Sequence, residues 1–144
     1  MKKIICAIVS AFLLTGCFGS QKVSNEPIEV SAREVVDRLQ NQDTDTFLLY
    51  ITTNSCYSCD EYKKVVEELE KVKSFEIYEL HIDLEEDDED VKEALSELEV
   101  TIGEYTMFPV TYYFYKGNLQ PENIKQGYIE KEDYETWLKN LHIL

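Results

Sequence analysis

The sequence predicts an α/β fold, one domain whose central mixed β-sheet is flanked by helices in the order βαβαβαββα. Three observations carry that prediction. Apolar and aromatic runs, at 47–52 and 75–83, alternate with charged segments whose apolar residues recur every three or four positions, the pattern of parallel strands joined by crossover helices. Late in the chain two strand-like runs are separated by Lys116-Gly117-Asn118, a turn that joins antiparallel neighbours. The 144 residues, 44% hydrophobic and 12% aromatic, supply one real core and leave no room for two ordinary domains.

Residues 1–16 read as a signal peptide. Lys2 and Lys3 precede an apolar run from Ile4 to Leu14, too short for a permanent membrane span but suited to a cleaved leader. The run ends Leu14-Thr15-Gly16-Cys17, which resembles the lipobox of bacterial lipoproteins. That resemblance implies that Cys17 receives a diacylglyceryl group and becomes the new N-terminus, with the protein held on the outer face of a bacterial membrane. Acyl chains at about 0.8 kcal/mol per buried CH₂ anchor a protein without a transmembrane helix. Residues 17–27, with Gly19, Ser20, Gln21, Ser24 and Asn25, have the composition of a tether. The domain is expected at 28–144.

Its elements follow in order. Ser31 with Glu34 three residues on reads as a capping box, and Val35, Val36 and Leu39 share the face of a first helix ending near Asn41. The run Phe47 to Thr52 is a central strand covered on both faces. After Cys59, Tyr62, Val65, Val66, Leu69 and Val72 form the apolar stripe of a long helix, with Glu61, Lys63, Lys64, Glu67, Glu68 and Lys71 between them. Phe75 to Asp83 is the next strand, reached by crossover and so parallel to the last. The acids from Glu85 to Asp90 form a solvated loop and helix start, and Val91, Ala94, Leu95 and Leu98 mark a third helix. Thr101 to Thr106 reads as a loop. Val110 to Tyr115 is a strand rich in β-branched and aromatic residues. A further strand near Ile124 to Gln126, broken by Gly127, pairs with it, and Tyr134, Trp137, Leu138 and Leu141 define a last helix.

Charge and cysteines narrow the function. The formal charge is −15, and −17 once Lys2 and Lys3 leave with the signal peptide. Such a surface repels phosphate backbones and anionic headgroups, which argues against nucleic-acid binding and leaves membrane contact to the lipid. Of four cysteines, Cys6 lies in the leader and Cys17 in the lipobox. Cys56 and Cys59 remain, in Ser55-Cys56-Tyr57-Ser58-Cys59 between strand and helix. Two thiols so spaced at a helix start close into a disulfide with little movement, and the first sulfur sits among unpaired backbone N–H groups that favour thiolate. That suits reversible exchange; a structural disulfide and half of a metal site are the alternatives. As a staple the pair closes a very small loop and constrains the unfolded chain little.

From about Ile28 to Leu144 the chain resembles thioredoxin-fold proteins. The resemblance rests on four features in order: the strand leading to Cys56-Tyr57-Ser58-Cys59, the strand ending Leu80-His81-Ile82-Asp83, Pro109 at the start of a strand that turns at Lys116-Gly117, and Gly127 before the last helix. It implies a thioredoxin fold and a thiol–disulfide oxidoreductase, with Cys56 the nucleophile, Cys59 the more buried resolving thiol, and the Cys56–Cys59 disulfide in place of any cofactor. It also implies that Pro109 is cis and that Phe108, with Tyr57 and Ser58, contacts an extended substrate. This chain departs from the family's usual pattern between the cysteines, and Tyr50 stands where the family has a buried acid. Glu79 stands where that acid's lysine partner would be, and is a candidate proton acceptor.

The implied partners are protein or peptide thiols and disulfides of secreted or envelope proteins, in a role akin to a reductase or a bacteriocin-accessory protein, with a membrane electron carrier as a further candidate partner. The protein is expected to be monomeric. The competing readings are a thioredoxin-fold adaptor that binds peptides, and a carrier holding a soft metal such as Cu(I) or Zn(II) with Cys56, Cys59 and His81. No dedicated metal site is predicted, because two cysteines underfill one and the acids from Glu85 to Asp90 lack the glycine of an EF-hand turn.

Overall fold

The computed structural model describes residues 26–41, 46–72 and 75–144. The expected leader, Cys17 and the expected tether up to Asn25 lie outside the described residues. Nine elements follow in sequence: β1 (Ile28–Val30), α1 (Ala32–Gln40), β2 (Phe47–Thr53), α2 (Tyr57–Val72), β3 (Ile77–Ile82), α3 (Glu89–Ile102), β4 (Val110–Tyr115), β5 (Asn118–Gln126) and α4 (Lys131–Asn140). The five strands form one sheet in the order β1-β3-β2-β4-β5. β1 and β2 run parallel to β3, and β4 runs antiparallel to β2 and β5.

Helix ends form where local chemistry satisfies them. Ser31 and Glu34 make the expected capping box on α1: the Glu34 N–H donates to Ser31 Oγ at 3.3 Å, and the Ser31 N–H donates to Glu34 Oε2 at 2.7 Å. Those Ser31 hydrogen bonds, the backbone one foremost, hold the Glu34 carboxyl below its usual range. Asp88 caps α3 through the N–H groups of Asp90 and Val91, so part of the acidic run is the start of that helix.

β2 is buried along all seven residues, and its alternation feeds two layers. Leu49 and Ile51 face α1 and α3 in a mainly aliphatic core with Val35, Val36, Leu80, Leu98 and Phe114. Leu48 and Tyr50 face α2 and α4 in a second, aromatic core with Tyr62, Tyr113, Tyr134 and Trp137.

Three boundaries differ from the sequence reading. The third strand is Ile77–Ile82, shorter than 75–83 at both ends. Thr101 and Ile102 belong to the last turn of α3, where Ile102 is buried, so the loop begins only at Gly103. β5 starts at Asn118 rather than near Ile124. Pro121 falls in a register shift, because Phe114 pairs Leu119 while Tyr112 pairs Ile124, and an edge strand tolerates proline at such an irregularity. No helix among the described residues is long and apolar enough to cross a membrane.

Candidate active site

β2 ends at Thr53, and the chain turns through Asn54 and Ser55 into α2, with Ser55 in the left-handed region at φ 56°. Cys56 then occupies the capping position. Its carbonyl accepts from the N–H groups of Cys59 and Asp60, and its sulfur accepts from the Cys59 N–H at 3.2 Å. A sulfur thus stands where a serine or aspartate oxygen usually caps a helix. Cys56 and Cys59 are joined in a disulfide, and the two sulfurs differ in access. Cys59 is 4% exposed, whereas Cys56 is only partly buried.

The second wall comes from the start of β4. The Phe108–Pro109 peptide is cis, and Pro109 is buried. Ser58 Oγ donates to the Phe108 carbonyl at 3.2 Å and lies 3.4 Å from Cys56 Sγ. The Pro109 carbonyl accepts from the Gly127 N–H at 2.7 Å. Gly127 has φ 80°, and a Cβ there would meet Met107 Sδ at 2.9 Å, so glycine serves both the turn and the close approach of Met107. Tyr57, Met107 and Tyr128 are exposed large side chains, and Phe108 packs against Tyr105.

Behind Cys59 lies a polar cavity of about 650 Å³, also lined by Thr52, Asp60, Lys63, Glu79 and His81. Glu79 is 7% exposed, and Lys63 Nζ donates to its Oε2 at 2.8 Å. That hydrogen bond, more than the carboxylate's charge, raises the Lys63 ammonium above its ordinary range. Thr52 Oγ1 lies 3.4 Å from Glu79 Oε1 and 3.1 Å from His81 Nδ1, and His81 Nε2 lies 2.6 Å from Asn54 Oδ1. Tyr50 pairs with Glu79 across β2 and β3. Burial, reinforced by Glu79, pushes its hydroxyl far above the usual range, so Tyr50 does not replace an acid as a proton acceptor. The buried carboxylate of Glu79 on β3 is paired with an ammonium from α2, Lys63.

The structure therefore brings together Cys56, Cys59, Tyr57, Ser58, Phe108 and Pro109, with Glu79 on the cavity behind Cys59. His81 lines the same cavity as Cys59, with its two ring nitrogens beside Thr52 Oγ1 and Asn54 Oδ1, and no group of three or more His, Cys, Asp or Glu that could hold a metal ion is found among the described residues. Sequence reasoning missed Lys63 as the partner of Glu79, and Met107 and Tyr128 as exposed apolar neighbours of the Pro109–Gly127 contact.

No family model matches the chain, and no curated protein is similar to it in sequence. Among solved structures it is similar to thioredoxin f2 of Chlamydomonas reinhardtii, with a TM-score of 0.60 and 9% identity over 82% of this chain and 98% of that one. Thioredoxin O1 of Arabidopsis thaliana in the oxidised state gives a TM-score of 0.58 and 18% identity, covering 80% and 96%. Thioredoxin O2 of Arabidopsis thaliana, also oxidised, gives 0.56 and 17%, covering 81% and 95%. The chain has the thioredoxin fold.

Proposed function

We propose that the protein is an extracytoplasmic, membrane-anchored thiol–disulfide oxidoreductase that exchanges disulfides with secreted or envelope proteins and peptides. The observation that carries this reading is the asymmetry of the Cys56–Cys59 pair at the start of α2: one residue partly exposed, its sulfur held by a helix N–H, the other buried. A structural staple gains nothing from that difference, whereas exchange needs one accessible attacker and one protected resolver.

In the reducing direction the Cys56 thiolate attacks a substrate disulfide. The Cys56–substrate S–S bond forms, the substrate's own bond breaks, and the departing sulfur leaves as thiolate with the electron pair. Cys59 then attacks Cys56 Sγ, closing the disulfide and releasing the second substrate sulfur. Two electrons pass from the protein to the substrate, and the same steps reversed oxidise a dithiol. Phe108 and Pro109, with Tyr57 and Ser58, line the side of Cys56 along which a substrate segment lies. Glu79, on the cavity shared with Cys59, accepts the Cys59 proton. A membrane electron carrier or a dithiol restores the reduced state, the protein works as a monomer, and the disulfide is its only redox group.

The test is trapping. Cys59→Ala leaves a mixed disulfide with no intramolecular exit, so it accumulates covalent partners through Cys56, whereas Cys56→Ala does not. Equal trapping by both variants, or none by either with a disulfide-bonded polypeptide such as insulin present, overturns the assignment. The anchor is tested separately. Cys17→Ser is expected to move the protein from the membrane to the soluble fraction, and undiminished membrane retention refutes lipidation.

A further inference from the structure

Ser58 Oγ lies between two acceptors, 3.2 Å from the Phe108 carbonyl and 3.4 Å from Cys56 Sγ. One hydroxyl has one proton, so it serves one acceptor at a time. In the disulfide form the choice is clear, because a disulfide sulfur is a weak acceptor and a carbonyl oxygen a good one. Reduction reverses the order. Once Cys56 carries a thiolate, a charged acceptor stands beside the hydroxyl, and hydrogen bonds to ionised groups are roughly twice as strong as neutral ones. In the disulfide form both acceptors already lie within reach of Ser58 Oγ, so rotation of the hydroxyl is the main movement that the switch asks of Ser58.

We propose that Ser58 is a redox-responsive donor that gates the Phe108 carbonyl. In the oxidised protein its hydroxyl occupies that carbonyl. In the reduced protein it turns to the Cys56 thiolate, joining the Cys59 N–H, and leaves the carbonyl open to a backbone N–H of an extended polypeptide. The site therefore presents its acceptor to substrate when the nucleophile is charged. As Cys56 bonds to substrate sulfur the charge leaves with the departing thiolate. Ser58 then returns to the carbonyl, competes with the substrate N–H and favours release. This deepens the oxidoreductase reading and rests on it for the identity of the incoming polypeptide.

The test reads the carbonyl itself. Phe108-Pro109 is the only Phe–Pro step in the chain, so ¹³C-carbonyl phenylalanine with ¹⁵N-proline gives one assignable NMR signal in the full-length protein. Dithiothreitol, itself oxidised to its cyclic disulfide, supplies the two electrons. In the reduced parent the Phe108 carbonyl signal is expected to shift with pH, in step with Cys56 alkylation by iodoacetamide mapped at the peptide level. In Ser58→Ala it stays at the open position in both redox states, and Cys56 alkylation at neutral pH falls about tenfold, the scale of one hydrogen bond to a charged group. Ser58→Thr restores both. Asp60, Glu61, Lys63, Glu79 and His81 surround the motif in parent and variant alike, so the difference isolates the hydroxyl.

A carbonyl signal unmoved by reduction in the parent, or one that moves equally in Ser58→Ala, overturns the inference. The oxidoreductase reading fails on other evidence, namely absence of trapping by Cys59→Ala, and that failure leaves the carbonyl signal free to be read.

Discussion

The two layers packed on the sheet are built from different chemistry. The layer under α1 and α3 is mainly aliphatic, with Val35, Val36, Leu49, Ile51, Leu80, Leu98 and Ile102 all buried. The layer under α2 and α4 is aromatic and hydroxylated: Tyr50, Tyr62 and Tyr134 are fully buried, and Tyr62 bonds Thr111 at 2.6 Å. The buried carboxylates Glu70 and Glu79 come from α2 and from the β3 face that α2 covers. The disulfide opens α2, so it sits on the polar side. A mainly aliphatic layer secures the sheet at little electrostatic cost, whereas the layer carrying the thiols retains buried carboxylates that cost stability.

The contrast is broken most forcefully in the aliphatic layer. Leu98 is 0% exposed, and Leu98→Ala is expected to cost about 2–5 kcal/mol, the transfer term plus the cavity left behind. Because Leu98 shares its cluster with Phe108 but not with Cys56 or Cys59, which open α2 on the other layer, the pH profile of Cys56 alkylation should stay that of the parent wherever the variant is folded. Denaturant melts and alkylation rates on one preparation check both halves. A changed alkylation profile at retained fold shows that the two layers are coupled.

Glu70 gives the second comparison. Burial, with smaller contributions from Glu67 and Glu26, pushes its carboxyl from near 4.5 up to about 7, and its Oε2 has no hydrogen-bond partner. The folded protein favours the neutral acid. Stability from this group is therefore full below about pH 4.5 and is lost as pH rises through about 7, where the charge must be carried in the interior. Glu70→Gln is expected to match the parent near pH 4 and to exceed it by about 1–3 kcal/mol at pH 8. Parallel stability curves for the two proteins contradict this account of Glu70.

How much of this was legible in the sequence follows the range of the interactions. The strand, Cys56-Tyr57-Ser58-Cys59 and the helix after it are one local pattern, and the observed β2 and α2 match it within a residue or two. The position of Pro109 was legible through resemblance. The predicted order includes a first strand but assigns it no residues, because β1 has only three, too few for a period, and exists because it pairs with β3. The full length of β5 was hidden because Pro121 argues locally against a strand, while the register shift against β4 accommodates it. The Lys63–Glu79 pair was illegible because Lys63 falls among the polar positions of α2, and only the packing of that helix over β3 sets its ammonium on the acid. Ser58 and Phe108 are 50 residues apart, and their contact is a product of the tertiary fold.

The smallest effect is expected at Glu79, where the polar layer meets the chemistry. In the proposed mechanism Cys59 loses its proton to attack the mixed disulfide, and it shares a cavity with a carboxylate that Lys63 holds by a 2.8 Å hydrogen bond. Glu79→Gln keeps the shape and removes the acceptor. Lys63 has 41% of its side chain exposed, so its released ammonium finds water and the fold loses little. The resolving step should slow by about tenfold near neutral pH, below the usual range for a general base because the open cavity also admits water. Attack by Cys56 should keep its rate, since the donors that face its sulfur are the Cys59 N–H and the Ser58 hydroxyl, not Glu79. Rapid mixing of reduced protein with a chromogenic aromatic disulfide separates the two steps, the first releasing one thiolate and the second another. Unequal slowing, confined to the second release, assigns Glu79 to the buried sulfur. Equal slowing of both assigns it to the general electrostatics of the layer, and an unchanged second release removes it from the mechanism.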